Sequence, residues 1–327
     1  MNTLNRRQFM KLIAAATAAG SIPAIYSSRA LASKSAPTGF YDKPMEGDAR
    51  ILHVTDVHGQ LLPVYFREPN VNLGVGDAYG RFPHIVGKEF LQANSFEPGS
   101  PEEYVFTYLN FAKHAEQLGR TGGFAHVKTL LDRLRDQAGG SSNTLTVDGG
   151  DLWQGSATSL WTRGVDMVEA SNILGIDVMV GHWEFTYRED EVLSNVALFK
   201  GDFIGQNVRV LEDSLFGDEY PALVERFDGR GLYDEDTGHA FQPYVIKEIN
   251  GVRIAVVGQA FPRTANANPK EFFPDWSFGL REDDMTELVE QIRGDESPDA
   301  VVLVSHNGMD VDIKMAERVP GLNAVFG

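Results

Sequence analysis

Four short apolar runs along the chain each stop at an aspartate or a histidine. Arg50-Ile51-Leu52-His53-Val54-Thr55 runs into Asp56-Val57-His58, and Thr144-Leu145-Thr146-Val147 into Asp148-Gly149-Gly150-Asp151. Val178-Met179-Val180 runs into Gly181-His182-Trp183-Glu184, and Val301-Val302-Leu303-Val304 into Ser305-His306-Asn307. Apolar, β-branched runs of this length read as buried strands. Side chains that are costly to bury therefore collect where each strand leaves the sheet.

Between the runs the apolar period changes to that of a helix. Ala125, Val127, Leu130, Leu131 and Leu134 recur at helical spacing and stop at Ala138-Gly139-Gly140. Residues 167–174 and 287–292 predict further helices, and residues 203–207 a further strand. Tyr244 to Ile249 and Val252 to Val257, divided by Asn250-Gly251, predict a hairpin. Strands alternating with helices make the fold class α/β, with a site at the strands' carboxyl ends.

Two stretches break the alternation. Residues 60–120 include Tyr65-Phe66-Arg67-Glu68-Pro69 and Tyr104-Val105-Phe106, and read as a long ordered loop covering the site. Residues 211–242 are acidic and glycine-rich and read as an excursion between strands. The final run, Asn323 to Gly327, reads as a strand cut in its middle, so the chain is expected to be the amino-terminal part of a longer protein.

Composition narrows the chemistry. The 327 residues include no cysteine, which excludes disulfides and leaves nitrogen and oxygen as the metal ligands. The first 32 residues carry Arg6, Arg7, Lys11 and Arg29 and no acid, leaving 25 bases against 46 acids in the remainder. A surface that acidic repels phosphate backbones, so nucleic acid is not an expected partner.

Residues 1–32 read as an export signal: paired arginines followed by Phe9-Met10-Lys11, a weakly apolar stretch, and Ala30-Leu31-Ala32 as a small-residue cleavage site. The apolar stretch is short for a membrane span. Twin-arginine export carries folded proteins, so the mature chain is expected in the periplasm, off the membrane once the signal is cut. Residues 33–49 read as a linker, and residues 50–327 as the catalytic domain.

Two divalent ions about 3.5–4 Å apart need a shared carboxylate and further oxygen and nitrogen ligands on each side. The strand ends offer Asp56, His58, Asp151, His182 and His306 as metal ligands, with Asp151 as the bridge because Gly149-Gly150 leaves its approach open. Asp148 reads as lying behind the site. His53, His84, His114, His126 and His239 are not at strand ends and read as structural.

The succession Asp-x-His, Gly-Asp, Gly-His-x-Glu and Ser-His resembles the calcineurin-like metallophosphoesterases of the 5′-nucleotidase branch, across roughly residues 50–327. In that family the third block is Gly-Asn-His-Glu-Phe-Asp; here it is Gly181-His182-Trp183-Glu184-Phe185-Thr186. His182 replaces the Asn ligand, and Trp183 and Thr186 replace a His-Asp pair that serves the leaving group.

That block, with Asp148 to Ser156 and Tyr65 to Pro69, is similar to the thiosulfohydrolases of the sulfur-oxidation (Sox) system. The resemblance implies a metallophosphoesterase sandwich holding two divalent ions, manganese first among them. It implies water activated between the ions and release of sulfate from a cysteine S-thiosulfonate on the SoxYZ carrier protein. Asp151, His182 and Trp183 are then expected at the reacting centre, and Arg67 and Arg163 as contacts for the anionic head group. It also implies that a Gly-His-x-His block and a carboxyl-terminal substrate domain follow Gly327, so that this fragment is impaired alone. Two other readings stand beside it: a nucleotidase or cyclic phosphodiesterase, and a non-catalytic binding module.

Overall fold

The computed structural model describes residues 41–65, 74–82, 84–120 and 122–327. The expected export signal, the first part of the expected linker and Arg67 lie outside the described residues. The chain divides into two compact units, residues 1–42 with 63–123 and residues 43–62 with 124–327.

The second unit contains ten strands: β1 Arg50–Val54, β2 Thr144–Asp148, β3 Val178–Met179, β4 Asp202–Phe203, β5 Arg209–Val210, β6 Tyr244–Ile249, β7 Val252–Gln259, β8 Trp276–Ser277, β9 Ala300–Ser305 and β10 Ala324–Phe326. One sheet has the order β1-β2-β3-β4, all parallel. The other has the order β10-β9-β7-β6, parallel except that β6 is antiparallel to β7. β5 and β8 form a two-stranded antiparallel ribbon.

Side-chain alternation decides how the sheets are buried. Val302 and Val304 of β9 join Ile254 and Val256 of β7 against Leu145, Val147, Val178 and Val180 of the first sheet. Val301 and Leu303 point the other way, against Met285, Val289 and Ile292 of helix Glu282–Asp295 and Met315 of helix Met309–Arg318. Because both faces of β9 are covered, its run is apolar throughout and does not alternate.

The far side of the first sheet is covered through Leu131, Met167, Val168 and Val192, from helices Phe124–Gln137, Val165–Leu174 and Glu189–Leu198. The layers are helix, sheet, sheet, helix, the sandwich that the family resemblance implies. Each fully buried Val or Leu in them contributes about 1.5–3 kcal/mol.

Several elements differ from expectation. The strand expected over residues 203–207 stops at Phe203, because the amides of Gln206 and Asn207 turn inward to Gln259 Oε1 (2.6 Å), Ala260 O (2.8 Å) and Gly279 O (2.9 Å). The buried face of helix Phe124–Gln137 is formed by Phe124 and Leu131 with Val127 and Leu134, while Ala125 is exposed. Lys43 and Asp48, inside the expected linker, are tied to this unit through Gln137 Oε1 (2.8 Å) and Asn250 Nδ2 (2.9 Å).

The long loop expected over residues 60–120 instead contains helices Gly87–Asn94, Pro101–Phe106 and Phe111–Leu118 in the first unit. Ser100 caps the second of these, with Pro101 in its first turn. The unit's packing is a small aromatic cluster, with Phe96 stacked on Phe106 at 6.0 Å and Phe90 tilted against both. The excursion over residues 211–242 also contains two helices, Glu212–Leu215 and Glu219–Arg226.

Candidate metal centre

The loops leaving β1 and β2 run side by side. Asp56 N donates to Gly150 O (3.0 Å), His58 N to Asp151 O (2.7 Å) and Gly59 N to Leu152 O (3.2 Å). This short ladder holds Asp56, His58 and Asp151 at φ values of 53°, 51° and 57°, a left-handed region that costs non-glycine residues about 1–2 kcal/mol each. Gly150 is required for the approach that follows: its φ is 99°, and a Cβ there would lie 3.1 Å from His306 Nδ1.

All five expected ligands converge. His182 Nδ1 lies 2.7 Å from Asp151 Oδ2, His306 Nε2 3.5 Å from Asp151 Oδ2, and His58 Nε2 3.9 Å from the same oxygen. Asp56 Oδ1 lies 3.5 Å from His58 Nε2 and 3.8 Å from His306 Nε2. Two overlapping sets each keep their ligand atoms within 4.8 Å of one another: Asp151, His182 and His306, and Asp56, His58 and Asp151. Asp151 belongs to both, as a bridging carboxylate would, and the oxygen and nitrogen donors suit a pair of divalent ions.

The titration of these groups follows from the geometry. Burial alone would raise the Asp151 carboxyl, but hydrogen bonds and charge from His182 and His306 hold it well below the usual carboxylate range. Burial would lower His306; its bonds to Asp151 and Gly149, with the charges of Asp151 and Asp56, push it up to about 9. His306 Nδ1 donates to Gly149 O at 2.6 Å, which leaves Nε2 to face the carboxylates. Asp148 is fully buried, which holds its carboxyl well above the ordinary value, and its Oδ1 accepts from Gly150 N. It stands behind the cluster and not in it.

Trp183 is 36% exposed, with its ring 5.6 Å from that of His182 and its backbone N–H donating to Asp151 Oδ1 at 3.0 Å. Thr186 Oγ1 donates to Trp183 O at 2.6 Å. Arg163 is exposed at the end of helix Ala157–Thr162; its carbonyl accepts from Asn195, and among the described residues its guanidinium makes no bond to the cluster.

Two neighbours of the cluster were not singled out by the sequence. Phe261, two residues beyond β7, packs 4.4 Å from the ring of His182. Glu184 is fully buried and accepts backbone N–H groups from both the Asp151 and the His182 loops. Phe261 carries no ionisable signal, whereas Glu184 stands in the Gly-His-Trp-Glu block and was open to notice there.

No protein-family model matches the sequence. Protein UshA of Yersinia enterocolitica is 30% identical over 204 residues, 61% of this chain and 32% of that protein. A 5′-nucleotidase of Vibrio parahaemolyticus is 30% identical over 200 residues, 60% of this chain and 30% of that protein. The chain thus spans about a third of the length of these curated relatives.

Among solved structures, the sulfate thiohydrolase SoxB of Thermus thermophilus, in complex with glycerol, superposes with a TM-score of 0.66 at 34% identity, covering 87% of this chain and 48% of that one. The calcineurin-like phosphoesterase YfkN of Bacillus subtilis shares the fold, with a TM-score of 0.53 at 15% identity over 85% of this chain and 70% of that one. The fold is that of the calcineurin-like metallophosphoesterases, and the likeness to UshA, the 5′-nucleotidase and SoxB supports the 5′-nucleotidase branch of it.

Proposed function

We propose that this chain is the metal-holding part of a thiosulfohydrolase. In this reading water cleaves the terminal S–S bond of a cysteine S-thiosulfonate, its oxygen joining the sulfonate to give sulfate while the electron pair stays on the carrier sulfur as a persulfide. The carrier is SoxYZ, the two ions are manganese, and the site works in the periplasm after twin-arginine export during thiosulfate oxidation. Asp56, His58, Asp151, His182 and His306 would hold the ions, which when bound supply Lewis acidity and an activated water.

The observation that carries this reading is the aromatic ring beside His182. A phosphoester hydrolase must protonate a poor alkoxide leaving group, an effect commonly worth about 10²–10⁴ in rate. The indole of Trp183 is too weak an acid to give a proton near neutral pH, and Thr186 is turned back onto the Trp183 carbonyl. A persulfide is stable as an anion and needs no acid there. Trp183 and Phe261 instead give the side of the site around His182 an apolar wall. The 34% identity to SoxB supports the same substrate class.

A second reading, hydrolysis of nucleotide phosphoesters, is favoured by the 30% identity to UshA and the 5′-nucleotidase. The two separate in one assay with manganese present: sulfate released from carrier-bound cysteine S-thiosulfonate against phosphate released from AMP. Sulfate release is expected to dominate. Phosphate release with no sulfate would replace the first reading by the second.

A further inference from the structure

Glu184 lies at the first turn of the short helix Trp183–Tyr187 with no solvent exposure, and among the described residues no lysine or arginine pairs with it. Carboxyl oxygens that deep need hydrogen-bond donors in place of water. Four backbone N–H groups supply them. Oε1 accepts from Leu152 (2.7 Å) and Trp153 (3.0 Å), and Oε2 from His182 (2.8 Å) and Asp151 (3.3 Å).

The bonds join two loops that are some thirty residues apart in sequence, and the joint is reciprocal. The Glu184 side chain holds the backbone of the Asp151 loop, while the Asp151 side chain accepts from Trp183 N (3.0 Å) and faces His182 Nδ1 (2.7 Å). We propose that Glu184 is the positioning residue of the metal centre, a carboxylate clamp that holds the loops of the bridging aspartate and the innermost imidazole against each other. The inference rests on the two-ion reading of the cluster and assigns Glu184 no contact with metal or substrate.

Two acceptor oxygens and the full side-chain length are both needed for the clamp. A glutamine amide turns its NH₂ toward one of the two donor pairs in either orientation, so two of the four hydrogen bonds are lost. An aspartate keeps both acceptor oxygens but falls a methylene short. Partners that orient metal ligands in this way are typically worth about 10–100-fold in affinity.

The test is calorimetric titration of the folded chain with Mn²⁺, alongside the electron paramagnetic resonance spectrum of the bound ion, for the native protein, Glu184→Gln, Glu184→Asp and Tyr220→Phe. Tyr220 bonds to Gly231 O and Trp276 Nε1, away from the centre, and serves as the stability control. The clamp predicts about 10–100-fold weaker Mn²⁺ binding and an altered spectrum in Glu184→Gln. It predicts a smaller loss in Glu184→Asp, which decides the matter if the glutamine variant does not fold. Tyr220→Phe should melt earlier in chelator yet bind Mn²⁺ as the native chain does.

A folded Glu184 variant with native affinity and spectrum overturns the proposal, as does an equal loss of affinity in Tyr220→Phe. Failure of the native chain to bind Mn²⁺ would instead remove the two-ion reading beneath it.

Discussion

The two halves of the metal cluster share Asp151 and differ in almost everything else. On one side, His182 and His306 have side chains 12% and 14% exposed, and each is held by a second contact. His306 is fixed by Gly149 O, and His182 by Phe261, Trp183 and the Glu184 bond to its backbone. On the other side, Asp56 and His58 are 50% and 47% exposed, and among the described residues no hydrogen bond orients the second nitrogen of His58. A ligand already oriented and desolvated loses less freedom on binding an ion. The buried half should hold its ion tightly, and the open half should exchange its ion with solvent.

The largest effect should come from the residue the halves share. Asp151→Asn removes the buried negative charge from both ligand sets and leaves His182 and His306 facing each other. Breaking a buried charge pair typically costs about 3–5 kcal/mol, or roughly 10²–10³-fold in affinity. Metal analysis after gel filtration should find neither ion retained. Retention of one ion per chain would show that the halves are independent and that Asp151 is no bridge.

The next effect separates the halves. His182→Ala should weaken the tight Mn²⁺ step by about 10²-fold, while His58→Ala should change the weak step about tenfold and leave the tight one in place. Competition with a fluorescent chelator reads both steps. Equal effects from the two variants would erase the contrast.

The smallest effect is a control away from the cluster. Burial, with Asp275 nearby, pushes the Glu189 carboxyl up to about 8. The fold therefore holds a proton there that the unfolded chain has released. Stability from this proton is full below the unfolded pKa of about 4.3 and is lost as pH rises through about 8. Stability read from thermal melts in chelator should fall over that window, and Glu189→Gln should flatten the fall. Added Mn²⁺ should leave the window where it is. A metal-dependent shift would tie this carboxyl to the centre and blur the distinction between site and scaffold.

The part of the site that could be read from the sequence is the part that violates burial. Asp56, Asp151, His182 and His306 stood out because each ends a run that is otherwise apolar, and such runs tolerate ionisable residues only where they leave the sheet. The sandwich was implied by the family resemblance, and in the structure β9 is covered on both faces, which is why its run does not alternate. The helices at residues 87–118 were missed because their interior is a cluster of phenylalanines with no regular period. Ser100-Pro101 with two glutamates behind it was a readable helix start even so.

Phe261 was not legible, since an aromatic at a strand end looks like core until the ring opposite it is known. The clamp formed by Glu184 was written into its block, but its four partners lie on backbone atoms, and sequence does not place those. The export signal, the first part of the linker and Arg67 lie outside the described residues.

The central claim is that two ions share Asp151 at the carboxyl ends of the strands. Crystals of the chain grown with Mn²⁺ and measured at the manganese absorption edge test it most directly. The account predicts two anomalous peaks, the stronger among Asp151, His182 and His306 and the weaker among Asp56, His58 and Asp151. Manganese bound elsewhere, with no peak against Asp151, would contradict it.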